Sequence, residues 1–331
     1  MAGLAVTSSW SSRRVLVTGA TGVVGSWLVR RLVDTGAYVV ALIRDLDPQS
    51  ELIRSGTLQR IAVVNGKLED ALAVERAAVE HEVDTIMHLG AQTIVGAALR
   101  SPANTFAANV QGTWNVFETA RIHASLIRCV VVASSDKAYG TSDQLPYTED
   151  MPLQGRGPYD VSKSCTDLIA SSYAETYGIP ALIARCGNIY GGGDLNWSRI
   201  VPGTILSLLL GEQPILRSDG TFLRDYIHVD DVVDAYLLLG EVGWDGRHVG
   251  EAFNFSDESP LTVRQIFDLV CEATVGSAVE PQILGRAEHE IHDQWLSAGK
   301  ARAQLGWTPQ VKVEDGLNRT VNWYRDLLAH R

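Results

Sequence analysis

From Arg14 onward, short apolar runs rich in valine and isoleucine alternate with longer segments whose apolar residues recur at helical spacing. Residues 13–19 (RRVLVTG), 38–45 (YVVALIRD), 60–66 (RIAVVNG), 84–91 (DTIMHLGA) and 128–135 (RCVVVASS) read as strands. Residues 26–36, 71–82 and 109–124 read as helices between them, followed by a helix over 162–178 and a strand over 180–191. Strands that are apolar throughout must be buried on both faces, because a sheet with one wet face would alternate apolar and polar residues. The pattern predicts a doubly wound α/β fold around a parallel sheet. Past residue 188 the alternation weakens. GGGDLNWSRIVPG (191–203) reads as a ligand-facing loop, residues 232–241 resume helix, and the tail mixes short strands and helices. The expected division is a disordered lead over 1–13, a first domain over 14–187 to which 229–252 returns, and a smaller mixed α/β lobe over 188–228 and 253–331.

The turn after the first strand carries candidate chemistry. TGATGVVGSW (18–27) places Gly19, Gly22 and Gly25 between a strand and a helix. The first glycine permits the sharp turn, the second lets backbone N–H groups approach a pyrophosphate, and the third lets helix and strand pack closely. The helix N-terminus then favours the phosphate charge. The fold is therefore expected to be of Rossmann type, with a dinucleotide held by this loop, Thr21, Val23 and Val24 included. At the end of the second strand stand Arg44 and Asp45. An arginine there suits the 2′-phosphate of NADP and an acid the ribose diol of NAD. Because Arg44 follows the strand directly, the reading leans to NADP within an NAD(P) assignment.

Two further motifs point to redox and acid–base work. PYDVSKS (158–164) sets Tyr159 and Lys163 four residues apart, on one helix face. An ammonium there would lower the phenol's pKa. Upstream, SSDKAYG (134–140) closes an apolar strand with two hydroxyls, a carboxylate and an ammonium, for which a strand end has little structural need.

With HLGAQ (88–92), NVQGTWN (109–115), RDYIHVDD (224–231) and LGWTP (305–309), these motifs resemble those of extended short-chain dehydrogenase/reductases of the NAD-dependent epimerase/dehydratase family, over residues 15–325. SSDK, PYDVSKSCTDLIA and RCGNIYGGGDLNWSRIVP (185–202) are most similar to CDP-glucose 4,6-dehydratases, with GDP-mannose and dTDP-glucose 4,6-dehydratases next. The resemblance implies a hydro-lyase acting on a nucleotide-diphosphate sugar of the CDP-glucose or GDP-mannose class. Tyr159 takes the C4 hydroxyl proton while C4 gives a hydride to the cofactor. A base removes the C5 proton as an acid protonates the departing C6 hydroxyl, and the hydride returns to C6. Asp136 matches the acid, Lys137 stands where the base would be, and Ser135 bonds the C4 hydroxyl. A 4-epimerase needs no such pair and is the alternative. A non-catalytic dinucleotide-sensing protein on the same fold is a second one.

By the same resemblance, Leu68, Leu89, Gly90, Ala91 and Asn109 surround the cofactor, which Tyr159 and Lys163 also touch, and Gln92 contacts the substrate. Asn188, Arg199, Arg217 and Arg224 are the diphosphate candidates, since arginine forks suit phosphate oxygens. As base, Lys137 faces a cost of about 4–5 kcal/mol at its ordinary pKa, which burial would reduce. Asp136, beside it, is expected to point elsewhere, as strand neighbours do. Helices over 104–123 and 159–177 are expected to pair in a homodimer.

The chain has 331 residues, 46% of them apolar, enough for a full core. A net charge of −11 and a pI near 5.2 argue against nucleic-acid or anionic-membrane partners. Four scattered cysteines, without CxxC or zinc-like spacing, read as reduced thiols of a cytoplasmic protein. His88 lacks nearby partner ligands, and no metal is expected. No apolar run reaches membrane length, and the N-terminus has no signal-peptide pattern.

Overall fold

The computed structural model describes residues 10–285 and 290–329. Six strands, β1 (Arg14–Thr18), β2 (Tyr38–Ile43), β3 (Ala62–Asn65), β4 (Thr85–His88), β5 (Cys129–Ala133) and β6 (Ala181–Cys186), join the strand Ala252–Phe255 in one sheet. Its order is Ala252–Phe255, β6, β5, β4, β1, β2, β3, and every pairing is parallel. The apolar runs of β1, β2, β4, β5 and β6 are buried on both faces as the pattern requires, whereas the edge strand β3 leaves Val63 exposed. Val15 and Val17 enter one core with Leu28, Val39 and Val131, whereas Leu16 enters the other with Val40, Ile86 and Val130. The chain reverses its direction of winding between β1 and β4, which lie side by side with Thr18 opposite His88. In open α/β sheets ligands bind beyond the strand ends at such a switch point.

The 180–191 run is two strands. Gly187 separates β6 from Asn188–Tyr190, which leaves the sheet and pairs with Tyr226–His228. A Cβ at Gly187 would lie 3.0 Å from the Asp225 side chain, so the crossing of the two segments admits only glycine without a shift. The second lobe has its own core of Tyr190, Ile205, Ile266, Val270, Leu317, Val321 and Tyr324. Its helix Val263–Val275 starts on a capping box made by Thr262 and Gln265.

Two boundaries differ from expectation. The strand Ala252–Phe255 belongs to the central sheet, and Ala298, Ala301 and Trp307 pack into its core, so the tail after 252 is shared between lobes. The lead is also not all without structure. Trp10 is fully buried, and the Arg13 guanidinium lies between the Trp10 and Trp244 rings at 4.3 and 4.5 Å and donates to the Gly240 carbonyl. Residues 1–9 of that lead lie outside the described residues. Among the described residues no helix is long and apolar enough to cross a membrane, and no group of three or more His, Cys, Asp or Glu could hold a metal ion.

Candidate active site

A cleft of about 1100 Å³ runs over the carboxyl ends of β1, β2, β4 and β5 and under the second lobe. That exceeds the ~300–1,000 Å³ of an ordinary small-molecule site and gives room for two ligands. Its floor is the glycine turn. Gly19 has φ +71°, and a Cβ there would lie 2.7 Å from the Gly90 nitrogen. A Cβ at Gly25 would lie 2.1 Å from the Gly19 carbonyl oxygen. The helix Val23–Asp34 opens on Gly22 with no side-chain cap and no acid in its first turn. Its N–H groups thus remain for an anion. The residues fit a dinucleotide pyrophosphate. Arg44 and Asp45 line the same cleft and pair with each other at 2.5 Å, both well exposed, where such a pair contributes little stability.

Every proposed site residue lines the cleft except Asn109. Its side chain is spent behind the wall. Its Oδ1 accepts from the Gln92 N–H at 2.6 Å, and its Nδ2 donates to the Gln92 carbonyl and to Ser162 Oγ. Asn109 therefore fixes the loop after β4 against the helix Pro158–Tyr177 and does not touch the cofactor space. The Gln92 side-chain oxygen accepts from the Ile94 N–H at 3.1 Å. His88, fully buried between the Thr18 and Thr113 hydroxyls, is pushed down to about 3 by burial and is neutral.

The residues after β5 do not continue the strand. Asp136–Tyr139 is a turn of 3₁₀ helix, so Asp136 and Lys137 do not alternate and the expectation that they point apart fails. Both meet Gln294, which comes from the second lobe and is fully buried. Lys137 Nζ donates to Gln294 Oε1 at 2.6 Å, and Gln294 Nε2 donates to Asp136 Oδ2. Burial lowers the Lys137 pKa, Arg224 lowers it further, and Asp136, Asp160 and Glu290 oppose that. Ser135 Oγ donates to Asp136 Oδ1 at 2.8 Å, while Ser134 turns away to Asp167.

Tyr159 faces this group, but its pairing with Lys163 is not what the spacing predicted. Burial pushes the phenol up to about 12; Arg199 and a hydrogen bond with Ser135 oppose this, while Asp136 and Asp160 add to it. Lys163 Nζ donates to the Ala133 carbonyl at 2.6 Å. Burial lowers it to about 8, against the opposing charge of Asp167. The second lobe contributes the cations. Arg224 is buried and donates to the Leu223 and His292 carbonyls, Arg199 pairs with Asp194 at 3.0 Å, and Arg217 is exposed at the cleft. Gln294 escaped the sequence reading because no motif surrounds it; only the parallel pairing of Asp293–Gln294 with Leu223–Arg224 brings it to the site.

The sequence profile of the family described as GDP-mannose 4,6 dehydratase matches residues 16–320. The CDP-glucose 4,6-dehydratase of Salmonella typhimurium is 30% identical over 96% of this chain and 91% of its own. The dTDP-glucose 4,6-dehydratase DesIV of Streptomyces venezuelae, solved with NAD bound, superimposes with a TM-score of 0.84 at 30% identity, covering 95% of this chain and 97% of that one. The UDP-glucose 4-epimerase of Thermotoga maritima, solved with UDP-glucose, gives 0.87 at 28% identity over 95% and 99%.

Proposed function

Because the chain belongs to the GDP-mannose 4,6 dehydratase family, we propose that it converts a nucleotide-diphosphate hexose to the 4-keto-6-deoxy sugar by oxidation at C4, loss of water across C5 and C6, and reduction at C6. The observation that carries this reading is Asp136 and Lys137 gathered beside Tyr159 in one cleft. Bound over the glycine turn, a nicotinamide dinucleotide would supply the two-electron acceptor and donor. Gly19, Gly22 and Gly25 would hold its pyrophosphate, and Tyr159 and Lys163 the nicotinamide end. Arg44 supports NADP, as Asp45 supports NAD in the same place.

Lys137 is the proposed base for the C5 proton. Burial and the neighbouring Arg224 both favour its neutral amine. Ser135 bonds the C4 hydroxyl. Arg199, Arg217 and Arg224 take the diphosphate, with Asn188 beside them. The UDP-glucose 4-epimerase likeness supports a second reading, a 4-epimerase, which leaves Asp136 and Lys137 without a task. Trp114, Ile122, Leu168 and Tyr177 are exposed on the helices Gly112–Ile122 and Pro158–Tyr177. They are the proposed dimer contacts.

The test is mass spectrometry of CDP-glucose, GDP-mannose, dTDP-glucose and UDP-glucose incubated with the protein, with NAD and NADP supplied separately. Loss of one water from one donor without net cofactor consumption is expected. A change of sugar stereochemistry at constant mass would replace this reading by the epimerase.

A further inference from the structure

Lys137 and Asp136 are chain neighbours of opposite charge, yet among the described residues no ion pair joins them. Between them lies the amide of Gln294, a fully buried residue. Lys137 Nζ donates to Gln294 Oε1 at 2.6 Å, and Gln294 Nε2 donates to Asp136 Oδ2. The partners fix the orientation of this amide. An ammonium only donates and a carboxylate only accepts, so the carbonyl must face the lysine and the NH2 the acid. The backbone that carries the amide is held on both sides. Asp293 Oδ1 accepts from the Leu223 N–H at 3.2 Å, the Trp295 carbonyl accepts from the Tyr147 N–H at 2.9 Å, and the Leu296 N–H donates to Asp225 Oδ2 at 3.2 Å. Asp136 is held on its other side by Ser135 Oγ, which donates to Oδ1 at 2.8 Å.

A direct contact between the two neighbours would hold the lysine as an ammonium and the acid as a carboxylate, because opposite charges favour each other's charged form. Elimination can use neither state: its base must be neutral and its acid must carry a proton. An amide separates the two groups with no charge of its own and does not titrate. It also orients the amine. A neutral lysine has two hydrogens and one lone pair. With one hydrogen given to Gln294 Oε1, the lone pair is turned away from the amide, and Lys137 lines the cleft.

We propose that Gln294 is a positioning residue for the elimination: its amide is a neutral spacer that keeps Lys137 and Asp136 from closing into an ion pair and leaves the lysine's lone pair to the cleft. This rests on the dehydratase reading above and assigns the second lobe a part in the chemistry. A spacer and a simple hydrogen-bond partner predict opposite results. If Gln294 only solvated the ammonium, its loss would lower the Lys137 pKa. If it is a spacer, its loss lets Asp136 close on the lysine and raises it. The other charges facing Lys137 are Arg224 and Glu290 of the second lobe and Asp160 of the helix Pro158–Tyr177, and they stay in every variant.

The chain has five lysines, so NMR of the full chain carrying isotope-labelled lysine can follow each of them, with Lys137→Arg identifying the Lys137 signal. In Gln294→Leu the Lys137 pKa should rise by about 1–3 pH units, and adding Asp136→Asn should abolish the rise. A pKa that stays or falls in Gln294→Leu overturns the spacer, and so does a rise that survives Asp136→Asn. Should Gln294→Leu not fold, Gln294→Met serves. Turnover gives a second readout, with the donor that the wild type dehydrates. Water loss by Gln294→Leu at neutral pH should fall about tenfold for each unit by which the lysine rises, and recover as the pH passes the new value. Reduced nicotinamide should still form at close to the wild-type rate in stopped flow. A water-loss profile identical to that of the wild type overturns the proposal. The dehydratase reading fails separately, in the product mass, and leaves the lysine titration measurable.

Discussion

Burial loosens the hold of Lys137 on its proton and Arg224 adds to this, against the opposing charge of Asp136. The sign of the resulting pH effect follows directly. A base works when neutral, so elimination should rise with pH through the Lys137 pKa, and burial places that rise below the ordinary lysine value near 10.4. Lys137→Arg keeps the charge but cannot be deprotonated. If the lysine is the base, the variant should lose about 100-fold or more of its water elimination while still oxidising C4, so that reduced nicotinamide accumulates in rapid-mixing traces. A variant that eliminates water at the wild-type rate would make Lys137 an electrostatic stabiliser of the enolate.

At the scale of elements, the glycine turn and the helix behind it act as one unit. Gly25→Ala would press a methyl carbon onto the Gly19 carbonyl, and the backbone would have to move. Overpacking of this kind costs about 1–3 kcal/mol. The expected result is a lower urea midpoint together with at least about tenfold weaker NAD and NADP binding, both readable by fluorescence. Cofactor affinity equal to wild type would show that the turn does not hold the pyrophosphate. This turn was legible in the sequence because its demands are local: strand, turn and helix follow within a few residues. The sheet was legible for a related reason, since two-sided burial writes an apolar run into each of its inner strands; the edge strand β3 keeps such a run with Val63 exposed. Gln294 was not legible. It reaches Asp136 across 158 residues, through a two-residue strand that follows no periodicity. The Tyr159–Lys163 spacing was legible as a shared helix face, but the Ala133 carbonyl that takes the lysine belongs to another element. Asn109 shows the same limit, for its motif gives no sign that its side chain is taken up by the Gln92 backbone and Ser162.

For the whole molecule, the two lobes meet at the chemistry. Gln294 and Arg224 come from adjacent short strands of the second lobe, and Arg224 also donates to His292 just ahead of Gln294. The proposed diphosphate site and the placement of Asp136 thus share one pair of short strands. The outer helices complete the proposed assembly. Leu168 is 61% exposed although it is apolar and lies mid-helix. Leu168→Glu should convert a dimer to a monomer in analytical ultracentrifugation at micromolar concentration, with the fold retained by circular dichroism. A wild type that sediments as a monomer would remove the dimer from the reading.

The stacked arrangement of Trp10, Arg13 and Trp244 has a practical side. Trp10 Nε1 also donates to Glu241, so the first described residue of the chain is bolted to the helix Val229–Trp244. Trimming the chain to the start of β1 would therefore empty a cavity of indole size and leave the Arg13 site vacant, an injury to thermal endurance and not a neutral edit. It would also silence an emitter: an indole shielded from water fluoresces to the blue, and its colour would report the loosening of this edge before the rest of the sheet and its helices gives way.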